Sequence, residues 1–272
     1  MRHLRVRSGE ACSTKLTCRP DAYGGDRKGR SKGRFGLSES CTTTCSFPLR
    51  ASRTSVSDTE SEREKKKLAV FASGGGSNFR AIHSAIEEGR INASIDLVVS
   101  DKLSCGATAF AADKGIECLR YPDKSESEQG FVRLLESLKG KHSIDFIILA
   151  GYMKFIPPEL VQEYERGILN MHPALLPAFG GKGYYGMRVH EAVIKSGVRF
   201  SGATVHFVNE EYDRGPIVAQ ACVPVSPGDS AEILAARVLK REHELYPDVV
   251  EALCDGRIEW REDGKPVLWT AK

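Results

Sequence analysis

An apolar run that passes directly into a glycine-rich turn sets the strongest limit on the fold of this chain. Residues 68–72 read Leu-Ala-Val-Phe-Ala, and such an uncharged run fits a buried strand of a parallel sheet. Residues 73–78 read Ser-Gly-Gly-Gly-Ser-Asn, and a helical pattern follows them. A strand, a glycine turn and a helix in this order are typical of the first unit of an α/β fold.

The same alternation of apolar runs and helical patterns continues to the end of the chain. We predict further strands at 95–99, 146–150, 168–171, 203–207 and 217–225, and helices at 108–114, 131–138, 157–164, 188–194 and from Asp229 or Ser230 to Pro247. The pattern predicts a doubly wound α/β domain over residues 65–272, with a mostly parallel, Rossmann-like sheet and helices on both faces.

Residues 1–64 lack any apolar periodicity and are rich in Arg, Lys, Ser, Thr and Gly. Such a composition buries too little surface to offset chain entropy, so we predict a disordered N-terminal extension. A hydroxyl-rich start without an apolar signal core is typical of an organelle transit peptide, and an ordinary disordered tail is the alternative. The composition favours the plastid, with the mitochondrion as the second destination.

Composition also excludes several classes of function. The formal net charge is only +3, and the basic excess lies mostly at the N-terminus, so nucleic-acid binding is not indicated. No apolar run approaches the ~20 residues that a membrane helix needs. The eight cysteines show no Cys-x-x-Cys pair and no zinc spacing with histidine, so we predict free thiols and no metal.

The glycine turn is a candidate phosphate site. Its bare backbone N–H groups and the positive end of the following helix would converge on an anion. A dinucleotide fingerprint would require glycine where Phe79 stands, and no Gly-Lys-Ser/Thr follows for a Walker loop. Asp101, after the second strand, leaves a nicotinamide nucleotide as the weaker alternative. A tight turn without a ligand also remains open.

A second candidate site begins with Asn170 and His172. Residues two apart on a strand face the same way, and Pro173 and Pro177 prevent a regular helix or central strand beyond them. Alone, this pair fits a capped turn and a core histidine equally well. Asp213 follows the strand predicted at 203–207, and such groups at strand ends indicate ligand chemistry. We expect Asp213 to raise the pKa of His172 and keep it cationic.

Three motifs in this order resemble a known family. They are Ser-Gly-x-Gly-Ser-Asn at 73–78, Asn-x-His-Pro-x-Leu-Leu-Pro at 170–177 and the Asp-x-Gly-Pro loop at 213–216. Together they resemble the phosphoribosylglycinamide formyltransferases, over residues 67–260. The resemblance implies formyl transfer from 10-formyltetrahydrofolate, as co-substrate, to the amine of 5-phosphoribosyl-glycinamide in purine synthesis. It implies a formyltransferase fold without a metal, as a monomer or homodimer.

The resemblance also assigns the site residues. Asn170 and protonated His172 would donate to the oxyanion, and Asp213 would hold His172 charged and relay a proton. The residues implied to bind the phosphate and nucleotide are Gly75, Gly76, Ser77, Asn78 and Glu242. Those implied to bind the folate are Met153, Lys154, Phe155, Ile156, Asn170, Asn209, Glu210, Glu211 and Asp213.

The sequence also bears on the remaining histidines and on alternative functions. His206 is expected to orient the loop of Asp213, whereas His83, His142, His190 and His243 are predicted to be structural or surface groups. Methionyl-tRNA formyltransferases normally add a basic C-terminal domain, and formyltetrahydrofolate deformylases carry a folded regulatory domain ahead of the catalytic one. The deformylase is kept as the alternative function, beside a nucleotide-binding module without catalysis.

Overall fold

The computed structural model of the 272-residue chain describes residues 64–122 and 127–268. The predicted targeting segment, residues 1–64, lies outside this part except for Glu64. The elements are β1 (Lys66–Phe71), α1 (Ser77–Glu87), β2 (Ala93–Ser100), α2 (Gly106–Asp113), β3 (Glu117–Arg120), α3 (Ser127–Leu135), β4 (Phe146–Leu149), α4 (Pro158–Glu163), β5 (Ile168–His172), α5 (Met187–Ser196), β6 (Phe200–Phe207), β7 (Ile217–Pro224), α6 (Ala231–Cys254), β8 (Ile258–Trp260) and β9 (Pro266–Leu268). A π-helical segment, Glu136–Lys141, continues α3.

Seven strands form one sheet in the order β3-β2-β1-β4-β5-β6-β7. The first five of these are parallel, and β6 and β7 run antiparallel to their neighbours. The predicted doubly wound, mostly parallel sheet is therefore confirmed. The chain places β2 and β3 on one side of β1 and then crosses over to place β4 and β5 on the other side. The resulting crevice at the carboxyl ends of β1 and β4 is where ligands bind in such sheets.

Alternate residues of β1 enter two separate cores, which is the expected period of a strand buried on both faces. Leu68 and Val70 pack with α1 and α6, and Ala69 and Phe71 pack with α3 and α4. Helices therefore cover both faces of the sheet, as predicted. The two faces fix the ends of β1, β4 and β5 relative to one another, and this positions the loops that follow them.

Helix α6 differs from the sequence prediction because it continues through Pro247 to Cys254. A proline inside a helix costs about 3 kcal/mol. Val249, Val250 and Leu253 follow it and are buried, and each such side chain stabilises the fold by roughly 1.5–3 kcal/mol. Burial of the last turns therefore offsets the proline. At the other end, the Ser230 hydroxyl accepts from the N–H of Ile233 at 3.3 Å, as predicted for the cap.

Three short strands were not predicted. Strand β3 reads Glu-Cys-Leu-Arg, and none of its residues is fully buried, so it carries no apolar run. Strands β8 and β9 form a separate two-stranded sheet of only three residues each. Across residues 64–122 and 127–268, no helix has both the length and the apolar composition that crossing a bilayer requires.

Candidate active site

The glycine turn after β1 packs its backbone against the start of α2. Gly76 has a φ of 73°, and a Cβ added there would lie 2.9 Å from the Cα of Ala107. The N–H of Ala107 donates to the carbonyl of Gly74 at 3.0 Å. No side chain caps α1, so the amides of its first turn have no side-chain acceptor, which a phosphate site at this turn requires.

Asn78 on α1 and Glu242 on α6 meet beside this turn. The amide Nδ2 of Asn78 donates to Oε2 of Glu242 at 2.7 Å, and the two residues are 8% and 7% exposed. Burial raises the pKa of Glu242, and the bond from Asn78 offsets part of that rise. Glu242 is therefore a buried, hydrogen-bonded carboxyl group rather than a solvated charge of a helix surface.

A cavity of about 810 Å³ extends from these two residues past the end of β5 to the loop after β6. Asn78 and Glu242 line one end, and Asn170 and His172 line the middle. Asn209 and Tyr212 line the other end. This volume lies in the range of small-molecule sites.

Asn170, His172 and Asp213 come together in the middle of the cavity, as the sequence predicts. Asn170 lies directly opposite His206 in the register of β5 and β6, and Asp213 lies in the loop that follows β6. His172 Nδ1 is 3.5 Å from Asp213 Oδ2, and Asn170 Nδ2 is 3.5 Å from Asp213 Oδ1. Together with His206 on β6, these residues form a group built from two neighbouring strands and one loop.

Backbone carbonyls fix the protons on both histidines of the group. His172 Nε2 is 2.8 Å from the carbonyl of Phe179, and His206 Nδ1 is 2.8 Å from the carbonyl of Phe207. Because a carbonyl only accepts, these two nitrogens carry the hydrogens of the neutral rings. Nδ1 of His172 and Nε2 of His206 are then acceptors, and Asn170 Nδ2 donates to His206 Nε2 at 3.0 Å.

The predicted charge of His172 is wrong for the protein without substrate. Burial lowers the pKa of His172, and Asp213 and the Phe179 carbonyl raise it by less, with His206 adding to the decrease. Desolvation therefore outweighs the carboxylate that the sequence prediction relied on. His172 is a neutral imidazole whose Nδ1 is free to accept a proton.

Asp213 stays ionised beside it. Burial would raise the pKa of Asp213, but His206, His172 and the backbone N–H of Gly181 together lower it below its usual value. The Gly181 N–H donates to Oδ2 at 2.9 Å. His206 Nε2 lies 3.7 Å from Oδ1, so the ring borders the Asp213 loop that the sequence expects it to orient.

Asp213 and Phe179, whose carbonyl contacts His172, have backbones in the left-handed region. Phe179 has a φ of 56° and Asp213 a φ of 54°. A bulky non-glycine residue there costs about 1–3 kcal/mol and persists only where the surrounding structure holds it. The Phe179 carbonyl binds His172, and the Asp213 carboxylate binds Gly181. These two strained positions thus orient reactive groups of the site.

The far end of the cavity is apolar and open. Met153 and Phe155 are 49% and 43% exposed, and the ring of Phe155 lies 5.1 Å from that of Tyr212. Lys154 Nζ is 3.5 Å from Asp101 Oδ2. Asp101, which left a nicotinamide nucleotide open, thus pairs with the implied folate segment.

Most of the implied site residues line the cavity, and some do not. Met153, Lys154, Phe155, Ile156, Asn209 and Glu211 line it together with the catalytic group. Glu210 does not, because its Oε1 instead accepts from Gln162 at 3.2 Å. Of the nucleotide residues, Asn78 and Glu242 line it, and Gly75, Gly76 and Ser77 precede Asn78 in the turn outside the lining.

The sequence missed several groups of the site. Tyr212 lies next to Asp213 in the predicted loop, so an aromatic residue beside a candidate acid was a usable signal. The Phe179 carbonyl and the Gly181 N–H carry no sequence signal, since every residue has these groups. His190 was predicted to be structural or surface-exposed, but it lines the cavity. Among residues 64–122 and 127–268, no three His, Cys, Asp or Glu side chains form a metal site.

Comparisons with known proteins bear on the family of this chain. Residues 66–250 match the sequence profile described as "Formyl transferase". A relative from Vigna unguiculata, named "Phosphoribosylglycinamide formyltransferase, chloroplastic", is 49% identical over 244 residues, which cover 86% of this chain and 78% of that protein.

Solved structures agree as well. A glycinamide ribonucleotide transformylase from Symbiobacterium toebii has a TM-score of 0.69 and 32% identity, covering 76% of this chain and 95% of that one. A formyltetrahydrofolate deformylase from Pseudomonas syringae has a TM-score of 0.67 and 27% identity, and the match covers 76% of this chain but only 66% of the deformylase.

Proposed function

This chain belongs to the formyl transferase family, and we propose that it transfers a formyl group from 10-formyltetrahydrofolate to the amine of 5-phosphoribosyl-glycinamide in de novo purine biosynthesis. One observation carries the proposal. Asn170, His172 and Asp213 meet in the middle of a cavity that has a polar, buried end at Glu242 and an open aromatic end at Phe155. Such a cavity suits two different substrates that react where they meet.

The reaction begins when the substrate amine attacks the formyl carbon, which forms a C–N bond and an oxyanion. Asn170 Nδ2 donates to that oxyanion, since its 3.5 Å contact with Asp213 is long enough to be exchanged. His206 accepts the other amide hydrogen and so keeps Asn170 oriented. A fixed donor at a developing charge is a large term in such catalysis.

His172 moves the proton. The attacking amine becomes an ammonium group, and neutral His172 accepts its proton at Nδ1, directly or through water. The resulting imidazolium is stabilised by ionised Asp213 at 3.5 Å and by the carbonyl of Phe179. The proton then passes to the folate nitrogen as its bond to the formyl carbon breaks. Asp213 thus stabilises the His172 imidazolium that forms during the reaction.

The two ends of the cavity assign the two substrates. Asn78 and Glu242, beside the glycine turn, bind the ribose and present the phosphate to Gly75, Gly76 and Ser77 at the start of α1. Residues 153–156 and 209–213 bind the folate, where the pterin contacts apolar side chains and the ring of Phe155. Glu210, which does not line the cavity, supports the 209–213 loop through its hydrogen bond with Gln162.

The alternative function is hydrolysis of the same formyl folate by a deformylase. A water molecule would then replace the amine, and the site at Asn78 and Glu242 would have no ligand. The structure favours transfer, because Asn78 and Glu242 are buried, polar and directed into the cavity. The match to the deformylase also covers only 66% of that chain.

One assay separates these functions. The purified protein is mixed with 10-formyltetrahydrofolate, and folate absorbance is followed with and without glycinamide ribonucleotide. Turnover that depends on the ribonucleotide supports formyl transfer. Turnover that is equal without it identifies a deformylase, and binding of the ribonucleotide without any turnover identifies a nucleotide-binding module.

We propose the chloroplast as the site of this activity, as a plastid enzyme of purine synthesis. The name of the Vigna unguiculata relative includes "chloroplastic". The transit peptide predicted at residues 1–64 lies outside the described residues, except for Glu64. The protein acts as a monomer or homodimer on small-molecule substrates. Import of the full-length chain into isolated chloroplasts, followed by measurement of its shortened mass, tests the targeting.

A further inference from the structure

His190 is a buried histidine in the cavity wall whose ring nitrogen Nδ1 has no partner among residues 64–122 and 127–268. It lies on α5, is 5% exposed and is one of the residues that line the cavity. Nδ1 itself is fully buried. Leaving such an atom unpaired costs about 1–3 kcal/mol, so its retention in the wall requires an explanation.

A comparison with the other unpaired atoms singles this residue out. Seven buried side-chain nitrogen or oxygen atoms lack a partner in the described part of the chain. Only two of them belong to residues that line the cavity, namely Oδ1 of Asn78 and Nδ1 of His190. Asn78 is already proposed to bind the nucleotide. His190 therefore shares the signature of a substrate-binding residue.

Its place in the cavity limits what it can bind. Helix α5 packs against α6, which carries Glu242, the residue proposed to bind the ribose. His190 also interacts electrostatically with His172 of the reaction centre. It therefore lies near the helix that carries Glu242 and near the reaction centre. In the proposed substrate, the group between these two points is a carboxamide.

The protonation state of His190 fits a neutral ligand. Burial lowers the pKa of His190, and the neighbouring His172 lowers it further. A neutral imidazole has one donor and one acceptor, and a secondary amide has one carbonyl and one N–H. A phosphate or carboxylate would instead be bound more strongly by a charged ring. The chemistry of the ring thus matches an uncharged amide.

From this geometry we infer that His190 is a specificity residue that hydrogen-bonds the carboxamide joining the ribose to the reacting amine. The inference rests on the proposed function and adds a contact to it. It places the glycinamide segment along the wall formed by α5, so that the terminal amine reaches His172. An amine donor without this carboxamide would lose that contact.

Calorimetry with the full-length protein and no folate tests the contact. The ligands are glycinamide ribonucleotide and an analogue in which two methylene groups replace the carboxamide. We expect wild type to bind the analogue about tenfold more weakly than the ribonucleotide. His190→Leu binds the ribonucleotide about tenfold more weakly than wild type but binds the analogue as wild type does. His190→Gln, which keeps a donor and an acceptor, recovers part of the loss.

The matched control is His243→Leu. His243 also lies on a helix and has a buried ring nitrogen without a partner in the described residues, but it does not line the cavity. Its affinity for both ligands should equal that of wild type. If His190→Leu does not fold, His190→Gln replaces it, and its ratio of the two affinities should be smaller than that of wild type.

Two results would overturn the role of His190. One is a His190→Leu protein that binds the ribonucleotide as tightly as wild type, and the other is an equal loss for both ligands in that protein, which would indicate a structural role. Failure of the proposed function is seen separately, as a wild-type protein that does not formylate the ribonucleotide.

Discussion

The two ends of the cavity differ in the burial and in the hydrogen bonding of their side chains. At the nucleotide end, Asn78 and Glu242 are 8% and 7% exposed and bind each other before any ligand arrives. At the folate end, Met153, Phe155 and Tyr212 are 49%, 43% and 47% exposed. Buried polar pairs also hold the fold together, whereas exposed rings gain burial only from a ligand. Substitutions at the first end should therefore affect both binding and stability, and those at the second only binding.

The reaction centre between the ends should show the largest effect of all. We predict that His172→Ala or Asp213→Asn lowers kcat by about 10²–10³, because the proton acceptor or its counter-ion is lost. Affinity for the ribonucleotide should be close to wild type. Steady-state kinetics and calorimetry with the ribonucleotide measure these quantities. Full turnover in either variant would show that the two ends do not meet at His172.

The next largest effect is expected at the nucleotide end. Glu242→Ala removes the acceptor of Asn78 and the proposed partner of the ribose, so the Kd for the ribonucleotide should rise about 10- to 100-fold. The melting temperature should also fall, and the KM for the folate should not change. Glu242→Gln keeps the size of the side chain and an oxygen for Asn78, so both losses should be smaller. A loss of ribonucleotide affinity without any loss of stability would contradict the contrast between the ends.

Two glycines of the turn differ in the space that an added Cβ would have and in their backbone conformation. Gly76→Ala places a Cβ 2.9 Å from Ala107 at a φ of 73°, and the free energy of unfolding should fall by about 2 kcal/mol. Gly74 has nothing within 4 Å of an added Cβ, so Gly74→Ala should stay within about 0.5 kcal/mol of wild type. Urea unfolding compares the two. Equal stabilities would mean that the turn is not held against α2.

The smallest effect is expected at the folate end. Tyr212→Ala removes the ring that packs on Phe155, and the KM for 10-formyltetrahydrofolate should rise about five- to tenfold. The free energy of unfolding should remain within about 0.5 kcal/mol, because the ring is exposed. Tyr212→Phe keeps the ring and should retain the wild-type KM. A drop in stability as large as that of Glu242→Ala would remove the distinction between the two ends.

Features that depend on local sequence were predictable. The period of two places Asn170 and His172 on one face of β5, and the glycine turn follows from the apolar run of β1 and from Gly76. The alternation of strands and helices also predicts the doubly wound, mostly parallel sheet. These features need only the neighbours along the chain, so the sequence contains enough information to predict them.

Features that depend on burial were not predictable. The sequence placed a carboxylate near His172 but gave no measure of its desolvation, and desolvation decides the direction of the pKa shift. The carbonyl of Phe179 and the length of α6 beyond Pro247 depend on packing between distant segments. The position of His190 in the cavity wall could not be predicted for the same reason, since α5 packs against the distant helix α6.

The protonation of His172 tests the central claim, that the two substrates meet at a neutral histidine. Its pKa is below the usual value of 6.5, so the ring loses its extra proton as pH rises through that lower pKa and is neutral at pH 7. Nitrogen-15 NMR of labelled protein, with the signal assigned by its absence in His172→Ala, reports both ring nitrogens. We predict a protonated Nε2 and an unprotonated Nδ1 at pH 7. Protonation of both nitrogens at pH 7 would contradict the account.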